Sequence, residues 1–169
     1  MFYATQAREN RPYYYHEHIG YNYRLSNICA GIGRGQMLVL KDHIARRREI
    51  HHLYTSLLKY VPGIEIKQNS SLYSDSNFWL TCILVDPDVC KVTCDDIRIF
   101  LAKENIESRL LWRPMHMQPV YKNNPFYGTN IAENIFDKGL CLPSGSSLTD
   151  RQILFVAERI KNFIIKKNN

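Results

Sequence analysis

The sequence lacks any stretch that approaches the roughly 18 consecutive apolar residues that a membrane-spanning helix requires. Its first twelve residues also lack the apolar core of a secretory signal, because Arg8 and Arg11 stand among polar side chains. We therefore expect a soluble, cytoplasmic protein with no membrane partner. The hydrophobic content of 45% over 169 residues is ordinary for one globular domain and excludes a disordered chain.

Metal-binding and disulfide patterns are missing as well. The five cysteines are odd in number and widely spread, which favours reduced thiols over a disulfide framework. Cys90 and Cys94 form the only close pair, and no second pair of Cys or His follows at zinc-finger spacing. Two histidine pairs likewise lack a third ligand at a diagnostic spacing: His16 with His18, and His51 with His52. We predict no metal site.

The positive charge is moderate and not concentrated. The formal net charge is +6 and the isoelectric point is about 9.1, but the longest basic run is only Arg46–Arg48. A solvated polar face of a long helix is the simplest interpretation of this run, and an anionic partner is the alternative. Because the run is so short, we predict no nucleic-acid partner. A Walker lysine and a nucleophile elbow are also absent, which leaves NTPase and hydrolase functions without support.

The first 25 residues are rich in tyrosine and show neither a helical nor a strand period. Six tyrosines occur in this segment, and Pro12 and Gly20 interrupt it. Tyrosine rings carry a large apolar area and hydroxyls that need partners, so such a segment makes a poor free tail. We predict that residues 1–25 form an extended, ordered loop, an arm that docks onto another domain or subunit.

Residues 26–169 have the pattern of one α+β domain. A long helix, or two helices in series, starts at Ser26 or Asn27 and stops before Pro62, and the glycines Gly31 and Gly35 share a face that suits close approach of another backbone. The predicted strands are Ile64–Lys67, Phe78–Val85, Glu107–Trp112 and a short one at 139–143. Further helices are predicted after the caps Thr93 and Thr149 and over Ile131–Lys138. Alternating short strands and helices favour a small α+β layer with the long helix on one side.

Four motifs resemble the DegT/DnrJ/EryC1/StrS family of pyridoxal-phosphate-dependent sugar aminotransferases. The most specific one is Gly20-Tyr-Asn-Tyr-Arg-Leu-Ser-Asn27, followed by the glycine segment 31–36. The others are Ala4–Glu9, Glu107–His116 and Cys141–Ser146, and all four stand in the order of the family. The resemblance implies the C-terminal small domain of a fold-type I transferase, with a short antiparallel sheet, a long N-terminal helix and flanking helices. It also implies pyridoxal 5'-phosphate as cofactor and a homodimer.

The resemblance has a gap that bears on activity. In the family a lysine in a Ser-x-x-x-Lys segment holds the cofactor, upstream of the region that this chain resembles, and none of the ten lysines here has that context. The resemblance therefore implies a truncated C-terminal part with no catalytic residue of its own and no activity alone. The substrates of the closest branch are UDP-4-keto-6-deoxy-amino sugars. The partner of this chain would be a second copy of itself or a lysine-bearing N-terminal half. A catalytically silent binding or assembly module is the alternative.

The same resemblance assigns roles to five residues. Asn22 would contact the cofactor phosphate of a neighbouring subunit, and Arg24 and Arg109 would bind phosphates of a nucleotide sugar. Trp112 and His116 fall where the family places residues near the substrate. Two purely structural alternatives stay open: Trp112 as a core residue and Arg109 in an ordinary ion pair.

Overall fold

The computed structural model describes residues 1–10, 15–68, 74–121 and 123–168. Two tyrosines of the predicted arm, Tyr13 and Tyr14, lie outside the described residues. The contacts divide the chain into two compact units, Met1–Lys41 and Asp42–Asn169. The arm boundary expected after residue 25 stays a prediction.

The unit Met1–Lys41 contains a 3-10 turn, Phe2–Ala4, and the beginning of helix α1, Asn27–Leu58. Between them the backbone closes a loop, in which Thr5 and Asn22 form an isolated antiparallel bridge. Gly20 is needed at this closure, because a Cβ there would clash with the backbone nitrogen of Ala7. The described residues of the segment predicted as an extended, ordered loop thus pair across Thr5 and Asn22, and its docking onto another domain or subunit stays a prediction.

The unit Asp42–Asn169 is built on a four-stranded sheet. The strands are β1 Ile64–Ile66, β2 Thr81–Val85, β3 Arg109–Leu110 and β4 Gly139–Leu142. Their order is β1-β2-β4-β3, and every neighbouring pair is antiparallel. The predicted α+β class with a short antiparallel sheet is confirmed.

Helices follow the predicted signals closely. Besides α1 they are α2 Pro87–Cys90, α3 Cys94–Lys103, α4 Ile131–Lys138 and α5 Asp150–Asn168. The capping box of α3 is present, since Thr93 and Asp96 exchange hydrogen bonds between side chain and backbone. Thr149 and Gln152 do the same at the start of α5. Only α2 was not predicted.

One hydrophobic core lies between the sheet and three helices. Ile83, Val85, Leu140 and Leu142 supply the sheet side and are fully or almost fully buried. Helices α1, α3 and α5 supply the helical side through a set of buried apolar residues: Ile50, Tyr54, Leu58, Ile97, Leu101, Ile153 and Ile160. Tyr54 donates its hydroxyl hydrogen to the carbonyl of Pro143 at 3.1 Å, which satisfies its polar end inside the core, and burial raises the pKa of this phenol.

Two predicted strands are longer than the observed ones by more than one residue. The strand expected from Phe78 starts only at Thr81, because the side chains of Ser76 and Asn77 accept hydrogen bonds from backbone N–H groups two residues ahead. The strand expected over Glu107–Trp112 is reduced to Arg109–Leu110. Local side-chain bonds competed with the sheet in the first case.

The solvated-face interpretation of Arg46–Arg48 is wrong, since all three side chains are half-buried and bonded to loops far along the chain. Arg46 donates to the carbonyl of Leu148 and to Asp150 Oδ1, both at 2.7 Å. Arg48 donates to Asp75 Oδ1 at 2.6 Å. The run attaches helix α1 to the loops around the sheet.

None of the helices in the described part of the chain is long and apolar enough to cross a membrane.

Candidate functional site

An open cavity of about 760 Å³ lies beside β3 and β4 in the unit Asp42–Asn169. Two of the predicted site residues, Arg109 and Trp112, line it. Trp79, Ser144 and Phe155 line other parts of its wall. We call this cavity the Arg109–Trp112 groove.

The two tryptophans of the groove form an exposed aromatic pair. The ring centroids of Trp79 and Trp112 lie 5.8 Å apart, with an angle of 36° between the ring planes. Their exposed fractions are 59% and 67%. The interpretation of Trp112 as a core residue is therefore wrong, and Trp79 lies before the strand in which the sequence placed it. Such a pair can stack on a planar ligand group.

The guanidinium of Arg109 is exposed at the edge of the sheet. Its Nε and Nη2 donate to Glu107 Oε1 at 2.9 and 2.6 Å, and this carboxylate raises the pKa of the arginine. The ion-pair alternative thus describes the geometry. Both side chains are solvent-exposed, so water competes with the pair and a phosphate could replace the carboxylate.

Arg47 holds the far wall of the groove in place. Its Nη1 donates to the carbonyl of Trp79 and, at 3.3 Å, to the carbonyl of Ser144. The hydroxyl of Ser144 accepts the backbone N–H of Thr81 at 2.9 Å and donates to the carbonyl of Leu142 at 2.8 Å. This structural role of Arg47 was not predicted, although the run of three arginines was its visible signal.

His116 does not line the groove. Its Nε2 lies 2.7 Å from Glu133 Oε1 on α4, and its ring stacks on Phe126 with a centroid distance of 3.8 Å. The half-buried imidazole is therefore fixed in orientation by two partners. The structure does not unite this residue with Arg109 and Trp112.

The other two predicted site residues, Asn22 and Arg24, lie in the unit Met1–Lys41 and are both exposed, as expected. Asn22 Oδ1 accepts the backbone N–H of Arg24 at 3.4 Å. Asn22 also lines a cavity of about 570 Å³ together with residues from the first ten positions of the chain: Thr5, Gln6, Arg8, Glu9 and Asn10. The exposed side chain of Asn22 thus borders an open cavity lined by polar residues.

No group of three or more potential metal ligands occurs among the residues that the structure describes. The His51 side chain makes packing and hydrogen-bond contacts. It stacks on Phe78 with a centroid distance of 3.8 Å, and its Nε2 lies 3.1 Å from Gln68 Oε1. Burial lowers its pKa below the usual value, which favours a neutral ring.

Comparisons with known proteins agree on one family. The DegT/DnrJ/EryC1/StrS aminotransferase family matches residues 2–161. The putative pyridoxal phosphate-dependent aminotransferase EpsN of Bacillus subtilis (strain 168) is 40% identical over 153 residues, which are 88% of this chain and 38% of that protein. The GDP-perosamine synthase of Escherichia coli O157:H7 is 32% identical over 154 residues, 91% of this chain and 40% of that protein.

Solved structures give the same fold. The aminotransferase TlmJ from Streptoalloteichus hindustanus superposes with a TM-score of 0.83 at 20% identity, over 99% of this chain and 44% of that one. A putative sugar aminotransferase, Spr1654, from Streptococcus pneumoniae superposes with a TM-score of 0.79 over 98% of this chain. The chain spans about two fifths of the length of the curated relatives that it matches.

Proposed function

Because the chain belongs to the DegT/DnrJ/EryC1/StrS aminotransferase family, we propose that it is the C-terminal part of a pyridoxal-phosphate-dependent aminotransferase for UDP-4-keto-6-deoxy-amino sugars of bacterial glycan biosynthesis. The chain contributes residues that bind cofactor and substrate. A lysine-bearing N-terminal half contributes the group that holds the cofactor, and the chain alone is inactive. The complete enzyme works as a homodimer in the cytoplasm.

The surroundings of Asn22 fit the phosphate end of the cofactor. The side-chain amide is exposed and lines a polar cavity, and amide hydrogens are suitable donors to phosphate oxygens. In the proposal, Asn22 binds the phosphate of the neighbouring subunit's cofactor. Bound pyridoxal phosphate supplies the electron sink for amino-group transfer. Asn22 fixes its position and performs no chemical step.

The Arg109–Trp112 groove is the observation that carries the substrate assignment. A nucleotide sugar combines a planar base with a charged diphosphate, and the groove places an exposed guanidinium beside two exposed tryptophans. Arg109 then donates to phosphate oxygens in place of Glu107, and Trp112 stacks on the planar base. Arg24, on the other unit, is separately proposed to bind substrate phosphate in the complete enzyme. His116, oriented by Glu133, contacts the sugar through its other ring nitrogen.

Tryptophan fluorescence tests this assignment directly, because the sequence has two tryptophans and both line the groove. Titration of the full chain with UDP-N-acetylglucosamine is expected to change the emission in a saturable way. Arg109→Ala should weaken this binding about tenfold or more, the scale of one charge-assisted hydrogen bond. Arg34→Ala removes another exposed arginine and should leave the affinity unchanged. An emission that does not respond at millimolar ligand would contradict the assignment.

The silent assembly module remains a second candidate because of one observation on α1. The first half of this helix exposes several large apolar side chains, and its three glycines have open space around them: Gly31, Gly33 and Gly35. Close approach of another backbone, expected from the glycines, does not occur within the described chain. A flat fluorescence titration together with stable self-association would favour this function over the first.

A further inference from the structure

Two thiols face each other on the side of the sheet that is turned away from the main core. Cys82 on β2 is the direct partner of Cys141 on β4, and their Sγ atoms lie 3.8 Å apart. Side chains alternate along a strand, so the burial of Ile83 in the core places Cys82 on the opposite face. Cys82 is half-buried, and Cys141 is 4% exposed.

The backbone around this pair has the spacing that a cross-strand disulfide needs. The carbonyl of Cys82 accepts the N–H of Lys67 next to β1, whereas the N–H of Thr81 points toward the β4 side and bonds Ser144. The backbone groups of Cys82 therefore point away from Cys141, which makes the two a non-hydrogen-bonded pair. The Cα atoms of such pairs are about 4.5 Å apart, inside the range of about 4.4–6.8 Å for disulfides.

We propose that Cys82 and Cys141 form a reversible disulfide when the chain meets a low-molecular-weight disulfide such as oxidised glutathione. The Cys82 thiolate attacks one sulfur of the oxidant, whose S–S bond breaks and releases one glutathione thiolate. Cys141 then attacks the Cys82 sulfur and expels the second glutathione thiolate. The two thiol protons end on the two glutathione molecules. The protein loses two electrons and the oxidant gains them.

The surroundings of the two sulfurs set the order of attack. Cys82 is the more accessible of the two, and a hydrogen bond from Cys141 lowers the pKa of its thiol. The same hydrogen bond and burial raise the pKa of Cys141. Cys82 is therefore the attacking thiol and Cys141 the resolving one.

The remaining cysteines are placed differently. Cys90 and Cys94 are buried, and their Sγ atoms each lie 3.2 Å from a backbone carbonyl, those of Pro62 and Asp137. Cys29 is exposed on α1 and would link two copies of the chain on oxidation. A Cys29→Ser background removes that reaction without touching the pair.

The test exposes the reduced Cys29→Ser chain to oxidised glutathione, measures the intact mass, and then unfolds the chain in excess N-ethylmaleimide, which blocks every remaining thiol, buried ones included. We expect the mass to fall by about 2 Da and two thiols to be lost, with one linked peptide that joins Cys82 to Cys141. Dithiothreitol should restore both thiols. Cys90→Ala is the matched control and should behave like its parent. In Cys141→Ala the reaction should stop at a glutathione adduct on Cys82. Cys82→Ala should undergo neither of the two steps.

Three results would overturn the proposal. One is an unchanged thiol content in the parent, and another is a glutathione adduct that persists in the parent with Cys141 present. The third is a linked peptide that contains Cys90 or Cys94. All three are read from the parent chain, so a variant that fails to fold does not affect the decision.

Discussion

Two stretches of one helix show how differently the same sequence pattern can be used. Residues 27–41 of α1 expose nearly all their apolar side chains, and Ile28 is 77% exposed. Residues 42–58 of the same helix bury Ile50, Tyr54 and Leu58 completely. Helical periodicity is present in both stretches, but only the second has a sheet and two further helices to pack against. Periodicity thus predicts the helix and leaves open what covers it.

The largest expected effect is on the free energy of unfolding, when the same Ile→Ala substitution is made in each of the two stretches. Ile50→Ala removes a fully buried side chain from the core and should lower the free energy of unfolding by about 2–5 kcal/mol. Ile28→Ala should change it by no more than about 0.5 kcal/mol in the dilute chain. Urea unfolding at low micromolar concentration measures both values. Equal losses would mean that Ile28 is covered within the isolated chain.

Self-association is the next effect, since the apolar stretch 27–41 is suited to contact another copy. We expect a dimer or larger assembly at tens of micromolar, on the order of common working concentrations. Replacing Ile28 and Ile32 with glutamate should raise the dissociation constant at least about tenfold. Full burial of each isoleucine side chain stabilises an assembly by about 1.5–3 kcal/mol, and the glutamates remove this contribution. Sedimentation equilibrium measures this change. A compact monomer in the unmodified chain would contradict the expectation.

Asn22 tests whether the exposed N-terminal unit contributes to a shared site. With a lysine-bearing N-terminal half supplied in trans, Asn22→Ala should weaken cofactor binding by about 1–3 kcal/mol, the scale of a hydrogen bond to a charged group. Asn10 lines the same cavity, and Asn10→Ala serves as the control. Its expected loss of cofactor affinity is well below that of Asn22→Ala. Cofactor absorbance after dialysis measures retention. Equal retention by Asn22→Ala and the unmodified chain would remove the proposed role.

The smallest effect concerns pH and the neighbouring histidines of the buried half of α1. Burial lowers the pKa of His51 in the folded chain from its usual 6.5. Below pH 6.5 the unfolded chain therefore binds the proton first, and stability should fall as the pH drops toward the folded pKa. His51→Gln should remove this slope, whereas His52→Gln, at an exposed position, should keep most of it, because burial is the larger cause of the lowered His51 pKa. Thermal unfolding between pH 5 and 8, on the order of the range in which histidine titrates, measures the slope.

Local signals explain what the sequence predicted well. The caps Thr93 and Thr149 and the bounds of Ile131–Lys138 agree with the structure because a helix start depends on residues three or four positions apart. The strand start at Thr81 was missed, since two side chains formed competing turns just before it.

The site was harder to predict because its contacts are distant in the chain. Arg47 lies 32 residues from Trp79 and 97 from Ser144, and no local pattern announces such bonds. The family motifs did identify Arg109 and Trp112, which line one groove. They also named His116, whose ring is instead held by Glu133 outside that groove.

The central claim is that this chain supplies binding residues while another segment holds the cofactor. Borohydride reduction of a mixture of pyridoxal phosphate, the chain and a lysine-bearing N-terminal half, followed by peptide mapping, tests it most directly. We expect stoichiometric pyridoxyl label on one lysine of the N-terminal half and none at that level on the ten lysines of this chain. Stoichiometric label on a single lysine of this chain would contradict the claim.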